Sequence, residues 1–279
     1  MKEVKVSDLV FNNEKPFSLI CGLNVLESEE IISKVVEESI LVTNKLSIPF
    51  VFKASYDKAN RSSRDSYRGP GVKEGLKKLK DIKESYSIPI ISDVHSVEEV
   101  EAASEVLDII QIPAFLCRQT DLVKACSETG LPINVKKAQF LSPPDMKNII
   151  DKIKSYDNEK ILLCERGTLF GYNNLIVDML GLAELKDYKY PVIFDVTHSL
   201  QMPGGLGKST AGRGHHVLNL AKSAMSLGLA GLFLEVHPNP EEALCDGPCA
   251  LPLDRLEEFL TQLKSLDDLI KNLPTLNLS

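Results

Sequence analysis

No apolar run in the sequence reaches the roughly 20 residues that a membrane-spanning helix needs. Met1 to Val10 alternates charged and apolar residues and carries no signal-peptide apolar stretch. Positive charge is not in excess: 32 Lys and Arg against 39 Asp and Glu give a formal net charge of −7, which argues against a nucleic-acid partner. The six cysteines form no CxxC pair. Cys245 and Cys249 stand in CDGPC, and Cys21, Cys117, Cys126 and Cys164 are scattered, so all read as buried thiols in a reducing, cytoplasmic location. There is no internal repeat, no low-complexity tract and no break in composition across the 279 residues, which predicts one domain over 1–279.

What is present is alternation. Short β-branched apolar runs begin at Phe17, Pro49, Pro89, Asp108, Pro132, Lys160, Pro191 and Gly231, and segments of helical period lie between them. Ser28 reads as a helix N-cap with acidic residues after it, Ser96 and Glu99 are spaced as a capping box, and Gly228 reads as a C-cap. Eight strands alternating with eight helices predict a (β/α)8 TIM barrel, preceded by a short N-terminal β-hairpin in VKVSDLVF. A doubly wound open sheet is disfavoured because no dinucleotide-type glycine-rich turn follows the first strand. Two long glycine-containing loops, Ser199 to Gly214 and Asn239 to Pro252, read as mobile lids.

A barrel builds its active site at the C-terminal ends of its strands. The residues there are Asn24, Lys53, Asp93 with His95, Gln111, Lys136 with Lys137, Glu165 with Arg166, Asp195 with His198, and Glu235 with His237. Each has a bland reading alone, but plain turns suffice at strand exits, so polar groups at nearly all of them describe a charged pocket. Lys53 and Lys136 lie inside apolar runs, where a solvated charge is unusual. With Lys58, Arg61 and Arg166 they predict recognition of phosphate and carboxylate groups. His198, Glu235 and Asp246 have the chemistry to ligate a divalent metal if a fourth donor joins them.

The motifs GLNVLES (from Gly22), FKASYDKANRSS (from Phe52), ISDVH (from Ile91), QIPAFLCRQTDL (from Gln111), NVKKAQFLSP (from Asn134), CERG (from Cys164), FDVTHSLQ (from Phe194) and LEVHPNPEEALCDGP (from Leu234) resemble those of the 3-deoxy-D-manno-octulosonate 8-phosphate synthases, from about Phe17 to the final helix. The resemblance implies condensation of phosphoenolpyruvate with D-arabinose 5-phosphate. It places Lys136 and Arg166 on the phosphoenolpyruvate phosphate and carboxylate, with Lys53 and Lys58 nearby. Asn60, Arg61 and Ser62 fall in the segment that helps to bind the arabinose phosphate and reaches a neighbouring subunit's site, which implies a homo-oligomer, usually a tetramer. Asp93, His95 and Gln111 match pocket positions.

The family divides into metal-requiring and metal-free branches, the former with Cys where this chain has Asn24. A neutral amide is a poor metal ligand. Cys21 is no substitute, since it lies on the opposite face of the strand. The resemblance therefore implies catalysis without metal or cofactor, with Asn24, Lys136, His198, Glu235 and Asp246 as the catalytic set. Two alternatives stay open: a 3-deoxy-D-arabino-heptulosonate 7-phosphate synthase using erythrose 4-phosphate, against which Ala59-Asn60 stands because those enzymes commonly carry proline there, and a non-catalytic sugar-phosphate-binding barrel.

Overall fold

The structure is a computed structural model that describes residues 1–61, 63–204, 211–274 and 276. It opens with an antiparallel hairpin, β1 (Val4–Val6) and β2 (Leu9–Phe11). The parallel strands that follow are β3 (Ser18–Val25), β4 (Phe50–Ser55), β5 (Ile90–Asp93), β6 (Ile109–Ile112), β7 (Ile133–Lys136), β8 (Ile161–Glu165), β9 (Val192–Asp195) and β10 (Gly231–His237). Each pairs with the next in chain order. β10 pairs with both β9 and β3, which closes the barrel. Closure leaves these strands without free edges, and every residue of each is buried.

Between the strands run α1 (Glu29–Leu46), α2 (Val72–Tyr86), α3 (Val97–Ser104), α4 (Thr120–Glu128), α5 (Met146–Lys154), α6 (Met179–Asp187), the single turn α7 (Val196–Ser199) and α8 (Val217–Met225). α9 (Leu256–Asn272) closes the fold. Ser28 caps α1, its side chain accepting from the Ile31 N–H. Two sequence expectations fail locally. Ser96 precedes α3 without making a side-chain cap, and the Glu99 carboxylate accepts from other donors, among them the His95 N–H. α8 ends at Met225 with Ser226 as its cap, and Gly228, at φ +66°, stands two residues further on.

Strand periodicity sorts the core into two layers. Leu19, Cys21, Leu23, Phe50, Phe52, Ile133, Val135, Ile161 and Leu163 face the helices. Ile20, Val51, Ile91, Ile109, Leu162, Cys164, Ile193 and Phe233 fill the barrel, and Val4, Val6 and Phe11 of the hairpin plug its N-terminal end. The apolar plug seals one end of the barrel and leaves the other to polar side chains.

Candidate active site

The inner apolar layer dictates what comes next along each strand. Two residues beyond Val51, Ile91, Ile109, Ile193 and Phe233 stand Lys53, Asp93, Gln111, Asp195 and Glu235, and Arg166 follows Cys164 by the same step. In β7 the helix-facing Ile133 and Val135 leave Asn134 and Lys136 to the inside. The alternation that packs the core therefore also aims one polar group inward from nearly every strand. β3 needs an extra device. A Cβ on Gly22 would lie 2.1 Å from the Lys53 carbonyl oxygen, so only glycine permits the close approach. The register shifts between Gly22 and Val25, and Asn24 enters the barrel mouth there.

Ionised groups this deep must be paired. Lys53, 1% exposed, donates to Glu235 Oε1 at 2.8 Å and to the carbonyls of Leu23 and Asn24 at 3.2 and 2.9 Å. Burial pulls the Lys53 pKa down, and the Glu235 carboxylate opposes that pull. Burial would raise Glu235, yet His198, Lys53 and Lys58 bring it down to about 2. The Lys136 ammonium pairs with Asp195 and sits 3.1 Å from the centroid of the Phe233 ring. Asp195 also accepts from the His198 N–H at 3.0 Å, and its Oδ2 lies 2.8 Å from His198 Nδ1. Against burial, His198 and Lys136 hold Asp195 far below the usual carboxylate range.

Asn24 lies where these clusters meet. Its Nδ2 donates to Glu235 Oε2 at 2.5 Å and to Asp246 Oδ2 at 3.2 Å. Gln201 Nε2 donates to the same Asp246 oxygen at 2.9 Å, and Gln201 Oε1 accepts from Arg166 Nη2 at 2.6 Å. The other terminal nitrogen of Arg166, Nη1, is buried and has no partner among the described residues. Burial lowers the guanidinium pKa despite the charges of Asp195, Asp246 and Glu165, so this cation is under-solvated at the pocket floor.

On the opposite wall Ser55 Oγ and His95 Nε2 both engage Asp93, the latter at 3.1 Å. Burial would raise Asp93, but Lys58, His95 and Lys53 hold it well below its ordinary value. Burial works against charge on His95, but Asp93 and then Glu99 raise its pKa above the ordinary histidine value.

These groups line a cavity of about 670 Å³. Lys53, Lys58, Asn60, Arg61, Asp93, His95, Gln111, Lys136, Arg166, His198 and Asp246 all border it, and Asn24 and Glu235 lie beneath, hydrogen-bonded into the same network. Arg61 Nη1 contacts the Cys245 thiol on the rim. Ser62 lies outside the described residues, as do 205–210 of the loop read as a lid. That loop's described flanks pair through Gln201–Met202 and Ala211–Gly212. Lys137 and Glu165, named beside Lys136 and Arg166 at the strand ends, point away from the cavity: they pair at 3.4 Å, and Glu165 accepts the N–H groups of Arg166 and Gly167. His237 turns to Glu27 and the Asn239 carbonyl. Gln201, Gln139 and the Pro113–Leu116 turn border the cavity without having been singled out. Neutral amides and loop residues leave no periodic signal, although Gln201 stands three residues after His198 in FDVTHSLQ.

The donor set fits a metal poorly. Among the described residues no group of three or more His, Cys, Asp and Glu is disposed to hold an ion. With carboxylates on both sides, the amide of Asn24 must present its NH2 rather than its oxygen. Lys53 already occupies Glu235 Oε1. An ammonium and an amide thus neutralise and bridge the carboxylates that a cation would otherwise need to hold together.

Fold and site together define a closed (β/α)8 barrel whose strand ends build one cation-rich, largely desolvated pocket. The model of the DAHP synthetase I family matches residues 3–272, and the chain belongs to that family. It is similar to the 2-dehydro-3-deoxyphosphooctonate aldolase 1 of Pseudomonas putida, at 58% identity over 274 residues covering 98% of each chain. It is likewise similar to the 2-dehydro-3-deoxyphosphooctonate aldolases of Ectopseudomonas mendocina (58% over 273 residues, 98% of this chain and 97% of that one) and Hahella chejuensis (55% over 276 residues, 99% and 98%).

Proposed function

We propose that this chain is an enzyme that condenses phosphoenolpyruvate with D-arabinose 5-phosphate and water to give 3-deoxy-D-manno-octulosonate 8-phosphate and phosphate. The observation that carries this reading is end-to-end similarity to aldolases named for that product, in a chain whose strand ends supply cations for two anionic substrates. C3 of the enol attacks the aldehyde carbon, water adds at C2, and phosphate leaves C2. Positive charge develops at C2 and negative charge on the aldehyde oxygen.

Lys136 and Arg166 hold the donor's phosphate and carboxylate. The free Nη1 of Arg166 and the buried Lys136 ammonium are desolvated cations whose attraction for an anion is strong in a low-dielectric site. Lys53 and Lys58 add to that field. Arg61 and Asn60, on the rim, meet the acceptor's phosphate. Most of the acceleration comes from holding C3 and the aldehyde in line. Glu235, at a pKa of about 2, stays ionised at neutral pH and serves as a fixed negative charge beside the developing positive C2 rather than as an acid. The protonating group is His198, whose ring lies between the carboxylates of Asp195 and Glu235.

The reading extends to a metal-free reaction. Asn24 holds Glu235 and Asp246 by hydrogen bonds, and Lys53 supplies the charge. It extends also to a homotetramer and to a cytoplasmic enzyme made of one barrel domain. One closed ring of eight parallel strands supports the last point, and no described helix is long and apolar enough to cross a membrane. The test is product identity. Mass spectrometry of a reaction containing both substrates should show the eight-carbon acid phosphate, with one phosphate released per molecule formed. Absence of that product from folded protein would refute the function.

A further inference from the structure

We propose that Glu99 and Tyr56 are positioning residues: Tyr56 holds Glu99, Glu99 holds His95, and His95 holds Asp93 in the orientation in which the pocket wall receives the acceptor sugar. The proposal rests on the synthase reading above and adds two residues that touch neither substrate.

The starting point is the capping box that does not form. A glutamate at the third position of a helix ordinarily bonds back to the N-cap N–H. Here α3 begins without a side-chain cap at Ser96, and Glu99 Oε2 instead collects three other donors. These are the His95 N–H at 2.9 Å, His95 Nδ1 at 3.3 Å and the Tyr56 hydroxyl at 2.7 Å. One carboxylate oxygen thus engages both the backbone and the ring of a pocket residue. An ionised carboxylate only accepts, so Nδ1 carries the proton towards Glu99. Nε2 faces the ionised Asp93 at 3.1 Å and must donate there as well. His95 is thereby held with both nitrogens engaged, in one ring orientation.

The far ends of the chain are fixed too. Asp93 Oδ1 accepts from Ser55 and Oδ2 from His95, and the residue borders the cavity. Tyr56 is fully buried, its ring meets His95 edge-on at 5.8 Å between centroids, and its hydroxyl donates to Glu99, its sole hydrogen-bond partner among the described residues. Tyr56 follows the last residue of β4 and Glu99 lies in the first turn of α3, so the chain ties two neighbouring strand-to-helix connections to the pocket wall. A sugar hydroxyl binds well only if the carboxylate that receives it is already aimed. Asp93 offers that acceptor, and it borders the same cavity as the phosphoenolpyruvate cations Lys136 and Arg166.

The experiment is a double-mutant cycle on the full-length enzyme with steady-state kinetics for each substrate. Glu99→Gln should lower kcat/KM for D-arabinose 5-phosphate by about 10-fold or more, within what a small misplacement of a site group costs, and leave KM for phosphoenolpyruvate unchanged. Tyr56→Phe should produce a smaller loss confined to the same substrate. In a His95→Asn background, Glu99→Gln should cost much less, because the ring through which it acts is gone and only its bond to the residue 95 N–H remains. Three results would overturn the proposal: unchanged acceptor kinetics, equal losses for donor and acceptor, or the same fold-loss with and without His95. If Glu99→Gln failed to fold, the cycle run with Tyr56→Phe and His95→Asn would decide by the same criteria. A wild-type protein with no synthase activity would instead refute the functional reading beneath it.

Discussion

Lys136→Ala separates what the pocket's charge does for the fold from what it does for the reaction. In the native chain the ammonium faces Asp195, which is fully buried. Removing the cation leaves that carboxylate with the Thr197 hydroxyl at 3.3 Å, the His198 N–H at 3.0 Å and the His198 ring. Orphaning one member of a buried pair costs about 3–5 kcal/mol, and these surviving contacts place the cost at the lower end, about 3 kcal/mol. Domains are typically stable by about 5–15 kcal/mol, so the variant should fold, with Tm lower by roughly 6–12 °C. Losing a charge-assisted bond to the donor should lower kcat/KM for phosphoenolpyruvate by roughly 10- to 100-fold. Adding Asp195→Asn removes the orphaned charge, so the double variant should regain part of its Tm and none of its turnover. Thermal melts and phosphate release at low phosphoenolpyruvate measure the two effects. Near-native turnover in Lys136→Ala, or turnover restored together with Tm in the double variant, would refute the assignment.

Three further outcomes are expected. Arg61→Ala should raise KM for D-arabinose 5-phosphate by roughly 10- to 100-fold, the worth of a charged hydrogen bond, with little change in KM for phosphoenolpyruvate; steady-state kinetics with each substrate varied would check it. Chelator-treated enzyme should keep its activity, whereas Asn24→Cys should retain about one divalent ion per chain by elemental analysis once a thiolate joins His198, Glu235 and Asp246. Asp93, Asp195 and Glu235 all have folded pKa values below their ordinary ones, so their contribution to stability is fully present only above the ordinary carboxylate range; that of Glu235 is lost as pH falls from about 4.5 to about 2, and those of Asp93 and Asp195 go on being lost at lower pH. Tm should therefore drop steeply across that window, and Glu235→Gln should flatten the fall.

The barrel was legible because its rule is local. A strand that alternates inner and outer apolar residues must aim the next inward position into the mouth, so Asp93 after Ile91 and Asp195 after Ile193 follow from periodicity alone. The same rule, applied residue by residue, would have turned Lys137 and Glu165 outward; reading only the strand ends grouped them with Lys136 and Arg166. Contacts between distant segments were not legible from periodicity, and only the family resemblance grouped Asn24 with Glu235 and Asp246. Asn24 and Asp246 are 222 positions apart, and nothing in either neighbourhood announces that the amide bridges Asp246 to Glu235. The failed capping box at Ser96 has the same origin: spacing along α3 gave Glu99 a local partner, whereas folding offered it Tyr56 and His95.

Acceptor choice tests the central claim most directly. Chelator-treated enzyme is given phosphoenolpyruvate with either D-arabinose 5-phosphate or D-erythrose 4-phosphate, and phosphate release is followed over time. The account predicts rapid release with the five-carbon sugar, little with the four-carbon one, and none with phosphoenolpyruvate alone. Release that is faster with erythrose 4-phosphate, or that appears only after a divalent ion is restored, would contradict it.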